Sequence, residues 1–203
     1  MSVTEHLITQ SDHHAPVEPL PVEFANTLSA SRGVLVEGLS SPAALEAWLR
    51  RCRGLFPHPF PEDVPIRASE QQLLHTRMLR DSTRRLLTAR IGRTAPDPWD
   101  VAQVNRACAL SRSWPVLAWE GESAPRAAHL RTTDTATDAR AQIARSLVAL
   151  LTGDHSALLR ICRGPGCVLF FSRNHPRRVW CSDGCGNRAR VARHRERHPG
   201  DRT

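Results

Sequence analysis

No lysine and no tyrosine occurs in the sequence, so arginine supplies all 28 basic side chains. Such one-sided usage follows base composition. A single arginine therefore says little, and only clusters are informative. The first residues, MSVTEHLITQSDHH, lack the basic start and apolar stretch of a secretory leader. No apolar run approaches the roughly 20 residues that a helix needs to span a bilayer. These absences point to a cytoplasmic protein with no membrane partner. In that reducing compartment, clustered cysteines favour metal over disulfides. Catalytic signatures are missing too: there is no GxSxG, P-loop, HExxH or GxGxxG. Glu37 and Glu46 form no evident acid pair, and His75 and Asp81 have no nucleophile placed beside them. Catalysis needs several groups in register, so the chain reads as a non-enzyme. Internal repeats and low-complexity segments are also absent.

The 203 residues, 40% of them hydrophobic, allow one domain of ordinary size and a small one. The formal net charge of +8 is unevenly spread. Residues 160–203 hold eleven arginines against Asp183, Glu196 and Asp201, whereas residues 1–159 hold seventeen arginines against seventeen acids. The whole surplus lies at one end, and a phosphate partner explains that asymmetry better than solubility does.

That end also carries two close cysteine pairs, Cys162/Cys167 and Cys181/Cys185, on either side of a thirteen-residue loop. Four thiolates converging on one point form a closed tetrahedral zinc site, so one zinc per chain is expected at Cys162, Cys167, Cys181 and Cys185. Gly164, Pro165 and Gly166 suit the tight turn inside the first pair. Ser182 and Asp183 suit the N-terminus of a helix whose first turn would hold Cys185. Val168–Phe171 reads as a strand, Asn174–Pro176 as its turn and Val179–Trp180 as a returning strand. The resulting plan is a treble-clef or zinc-ribbon-like finger ending in a basic helix. Cys52 and Cys108 stand alone and read as buried hydrophobes.

The run Cys185-Gly186-Asn187-Arg188 spells the signature of the bacterial CGNR zinc fingers. The CxxxxC before it, the Arg177-Arg178-x-Trp180-Cys181 run and the Arg/Ala-rich tail resemble that family as well. In that family the finger is C-terminal and follows a region named ABATE, associated with stress-induced transcription regulation. Phe24-x-Asn26-Thr27 is similar to the FxNT element near the start of that region, and the VNRACA stretch around Asn105 to its L-N-x-A-L helix. The resemblance implies a sensor module upstream of a DNA reader. A small-molecule effector pocket near Phe24, Asn26 and Thr27 is one reading of that element; core and turn roles for the three are the other.

The expected fold class is α+β: a mainly helical N-terminal domain with small β-hairpins, then the finger. Residues 1–19 are expected to be a flexible tail, 20–155 the ABATE-like domain and 156–203 the finger. Val22, Phe24 and Val34–Val36 are β-prone. Ser41 and Pro42 open a helix with Leu45, Trp48 and Leu49 on its apolar stripe. From Arg67 to Ile91 the pattern is helical: Leu73, Leu74, Met78, Leu79, Leu86 and Leu87 form one face, and Arg77, Arg80, Arg84, Arg85 and Arg90 a solvated one. Pro96-Asp97-Pro98 starts a helix running to about Ser113. Trp114–Trp119 and Ala127–Leu130 form a hairpin. Thr133 or Asp134 caps a last helix with Ile143, Leu147, Leu150 and Leu151 inward.

On the basic helix, Arg190, Arg193 and Arg197 follow i, i+3, i+7 spacing, Arg188 and Arg195 flank them, and Arg177 and Arg178 extend the patch from the loop. Such a helix could enter the major groove of DNA, with some arginines on guanine and the rest on phosphates. The other reading is a zinc-stapled module that binds protein or RNA. Because one finger reads few base pairs, tight binding calls for a homodimer.

Overall fold

The computed structural model describes residues 18–31 and 33–197. Apart from Glu18 and Pro19, the expected tail therefore lies outside the described residues. The first element corrects the sequence reading: Val22 and Phe24 belong to a short helix, α1 (Leu20–Ala25), not a strand. Five of its six residues are buried. A fully buried segment has no polar face, so its periodicity cannot tell helix from strand. Pro21, early in the helix, sets the φ that a first turn needs.

Strands β1 (Leu28–Ser31) and β2 (Val34–Glu37) pair antiparallel, with Leu28 opposite Glu37. Helix α2 (Pro42–Arg51) begins as expected: the Ser41 hydroxyl accepts from the Ala44 amide at 3.2 Å. Its stripe of Leu45, Trp48 and Leu49 is buried. The long α3 (Glu70–Gly92) opens with a capping box, Ser69 and Gln72 satisfying each other's backbone amides. Helix α4 (Pro98–Cys108) is capped by Asp97 and ends before the expected Ser113. Pro115 lies within β3 (Ser113–Ala118), which pairs with β4 (Arg126–Arg131). Asp134 accepts from the Thr137 amide at 3.0 Å and starts α5 (Thr135–Thr152). Strands β5 (Leu159–Ile161) and β6 (Phe170–Ser172) form a third antiparallel pair, and α6 (Asp183–Arg197) closes the described chain. Residues 179–180 form no strand. The partner of β6 is β5, upstream of the first cysteine.

One core unites α1 to α5 with β5 and β6. Phe24, with its ring 5.6 Å from that of Trp48, packs with Leu45, Leu87, Ile143 and Leu147. Leu159 from β5 and Phe170 from β6 join the same core, so the base of the finger is built into the helical domain.

The arginine face of α3 is the second correction. Only part of it is solvated: Arg85 and Arg90 are exposed, whereas Arg77, Arg80 and Arg84 turn inward. Arg80 is 3% exposed and bonds to Glu37 and Asp81. Arg77 donates to the Leu39 carbonyl at 2.8 Å. Arg84 donates to the carbonyls of Ala25 (2.6 Å), Leu28 (3.1 Å) and Val168 (2.8 Å), and lies over the Phe170 ring. Arg85 holds Asp100 through two bonds, and Arg90 reaches the Ser156 hydroxyl at 2.7 Å. Two-stranded hairpins leave carbonyls without ladder partners. The guanidinium, with five donors in a rigid fork, satisfies several at once.

Candidate metal centre and basic helix

The four cysteines converge as their spacing implies. The first pair occupies the turn between β5 and β6. The Cys162 amide continues the ladder by donating to Leu169 O at 2.8 Å, and the Cys167 amide turns back to Gly164 O at 2.9 Å. Gly164 is needed for close approach: a Cβ there would sit 2.9 Å from Cys185 Cβ and 3.3 Å from its sulfur. Gly166 takes φ +69°, which suits glycine. The second pair is set by α6. Cys181 precedes the helix, the Ser182 carbonyl accepts from the amides of Cys185 and Gly186, and Cys185 lies in the first turn. A zinc knuckle followed by a ligand-bearing helix is the treble-clef arrangement.

All four sulfurs lie within 4.8 Å of one another. Cys167 Sγ and Cys181 Sγ are 3.8 Å apart, and Cys181 Sγ and Cys185 Sγ 3.3 Å. A tetrahedron with zinc–sulfur bonds of about 2.3 Å has edges of about 3.8 Å, so the donor set fits one zinc ion. Cys162, Cys181 and Cys185 are buried. Their packing sets thiol against thiol. The hydrogen bond from Cys181 draws Cys162 down to about 4, burial pushes Cys167 up to about 11, and its bond to Cys162 pushes Cys181 up. A divalent cation that accepts all four thiolates removes that conflict. A small satellite core of Leu169, Phe171 and Trp180 shields the cluster.

Each residue of the Cys-Gly-Asn-Arg run has a visible task. Cys185 is the fourth sulfur. A Cβ at Gly186 would meet Trp180 Cδ1 at 3.0 Å, so glycine lets the indole cover the site. The Asn187 side-chain oxygen accepts from Arg190. Arg188 donates to Cys185 Sγ at 2.8 Å, offsetting thiolate charge from outside the ligand set. Arg188, expected on the nucleic-acid patch, is exposed and serves the sulfur cluster as well.

The other expected site residues divide. Arg177, Arg190, Arg193, Arg195 and Arg197 are exposed, and so are Arg163 and Arg173, which the pattern had not singled out. Arg178 is turned inward. Its guanidinium pairs with Glu18, donates to the Ser172 and Cys181 carbonyls, and lies over the Phe171 ring. Glu18 completes the join by accepting from the Ser172 amide at 2.8 Å. Burial pushes the Glu18 carboxyl up, while the Ser172 amide and Arg178 oppose that shift. Glu18 falls in the expected tail, and nothing local marks it as an anchor.

Phe24, Asn26 and Thr27 take the places that the core-and-turn reading of the FxNT element describes. Phe24 is fully buried in the core. The Thr27 hydroxyl donates to Phe24 O at 2.7 Å, a local turn bond. Asn26 bonds the β6 backbone at Phe170. The three are core, turn and staple. His175 points back to the Arg177 amide, outside the sulfur cluster.

Two family models match the chain in succession. Residues 18–154 match the ABATE family, described as "Putative stress-induced transcription regulator", and residues 159–198 match the CGNR zinc finger. Neither is an enzyme family. No curated protein matches the sequence significantly. Among the described residues, no helix is long and apolar enough to cross a membrane.

Proposed function

The chain belongs to the ABATE family and ends in a CGNR zinc finger, and from that premise we propose that it is a DNA-binding transcription regulator whose zinc site aims α6 at the duplex. One observation carries this reading. The buried residues of α6 are Cys185, Gly186 and Ala189. From Arg190 onward the helix keeps only Ala192 half-buried, and Arg190, Arg193, Arg195 and Arg197 are exposed. The metal anchors one end, and the other offers a row of guanidinium groups with the width of an α-helix, which the major groove admits. Arg177 and Arg173 on the loop after β6 add phosphate-binding charge beside it. The helical domain supplies regulation, and the regulator acts on DNA as a homodimer.

The test is a gel-shift titration of the full chain against genomic fragments at several salt concentrations. Arg190→Ala/Arg193→Ala is expected to weaken binding at every sequence, with zinc retained. The log–log salt dependence should flatten by about 0.9 for each phosphate that the variant no longer neutralises. Unchanged affinity sinks the DNA reading. Preference for RNA at equal charge would move the finger to the RNA-binding class.

A further inference from the structure

A cleft of about 310 Å³ opens between α3, α4 and α5, away from the finger. His75 from α3, Gln103 and Arg106 from α4, and Arg140 from α5 supply its polar groups, and Leu79 and Leu110 form apolar walls. Arg140 is 8% exposed, and among the described residues its Nε meets no acceptor. Burial pulls its pKa down, with only the charge of Asp134 acting against this. That carboxylate is already engaged, accepting from the Thr137 amide at 3.0 Å and the Gln72 side chain at 2.8 Å.

An unpaired buried guanidinium is costly, and folds that keep one pair it with an anion. Three other arginines of this domain show the contrast: Arg80 and Arg85 each hold a carboxylate, and Arg84 holds three carbonyls. Arg140 alone among these four faces a cleft instead. No acid lines that cleft; its ionisable groups are Arg140, Arg106 and His75. A site of this size with apolar walls and convergent donors is a small-molecule site. A guanidinium presents its N–H groups in the geometry of a carboxylate.

We propose that this cleft binds a small organic acid, its carboxylate on Arg140 and its apolar body against Leu79 and Leu110. The site stands on its own residues and does not depend on the DNA reading. The test is calorimetric titration of the zinc-loaded full chain, without nucleic acid, using octanoate and benzoate as probes. Octanamide (the same body without charge) and inorganic phosphate (charge without the body) are the controls. Saturable binding of a carboxylate probe is expected, at least tenfold tighter than either control and at least tenfold weaker in Arg140→Met. Gln103→Trp, at a half-exposed position on the cleft wall, is expected to block the probe while Arg140 stays in place. Without ligand, Arg140→Met is expected to melt no lower than the wild type, because it removes an unpaired buried charge. A lower Tm would show that the fold itself satisfies the guanidinium and would overturn the proposal. So would absence of saturable carboxylate binding, or equal binding in the wild type and both variants.

Discussion

Asn26 and Phe170, 144 positions apart, hold each other by two hydrogen bonds. The Asn26 side-chain Nδ2 donates to the Phe170 carbonyl at 2.9 Å, and the Phe170 backbone amide donates to Asn26 Oδ1 at 2.8 Å. One side chain thus acts as a one-residue strand against the edge of β6. With Glu18 on Ser172 and Arg178, and Arg84 on Val168, it fastens the zinc finger to the helical domain. The two family segments meet between residues 154 and 159, but packing runs continuously across that boundary.

Asn26→Ala leaves the Phe170 backbone groups unpaired beside a ring that is 3% exposed. A loss of about 2 kcal/mol is expected. It is read as a lower urea midpoint with unchanged slope, and zinc content stays at one per chain.

Arg177 and Arg178 are adjacent and predict opposite phenotypes. The Arg178 and Glu18 side chains are 12% and 8% exposed, so Arg178→Ala strands a buried carboxylate and costs about 3 kcal/mol. Arg177→Ala leaves stability within about 0.5 kcal/mol of the wild type and weakens DNA binding. Thermal melts and gel shifts on both variants separate the two roles.

Gly164→Ala drives a methyl group against Cys185, and Gly186→Ala drives one against the Trp180 indole. The first is expected to lower zinc affinity by at least tenfold in a competition with a chromogenic chelator. The second is expected to change Trp180 fluorescence while keeping the metal.

Removing zinc by chelation should melt the finger and spare the helical core. Metal binding in small fingers supplies roughly 10–16 kcal/mol of folding free energy, whereas Leu159 and Phe170 remain in the main core. Circular dichroism should lose about the signal of α6, and proteolysis should cut after β6. Because the ligands are thiolates, the same loss should appear on acidification, as protons compete with the metal.

Asp100 has no exposed surface, and the two bonds from Arg85, at 2.8 and 2.7 Å, hold its carboxyl below the ordinary value of 3.8. A carboxylate with a lowered folded-state pKa stabilises fully above its unfolded value and loses that contribution as pH falls through the folded one. Asp100→Asn should therefore flatten the loss of stability below pH 3.8. At neutral pH it should cost about 1–2 kcal/mol, reduced because Arg85 itself is half-exposed. Urea midpoints measured from pH 2 to 7 report both.

The features legible in the chain alone are local ones. Ser41, Asp97 and Asp134 cap helices through hydrogen bonds to amides two or three residues away. The four cysteines come together because each pair spans a single turn, and the surplus charge needs only counting. Other features rest on distant partners and emerge only on packing. Leu20–Ala25 is helical, but with five of its six residues buried it shows no periodicity that would have identified it. Arg77 and Arg84 of α3 face carbonyls, and Arg80 and Arg85 carboxylates, most of which only the packed fold brings within reach. Arg178 turns inward because the fold sets Glu18, 160 positions away, beside it. Among the described residues Arg140 Nε meets no acceptor, because neither α3 nor α4 brings one to it. Capping and ligand spacing act over a turn of chain and so can be read residue by residue. The pairing of a buried charge depends on which segment folds against it, and only the packed molecule settles that.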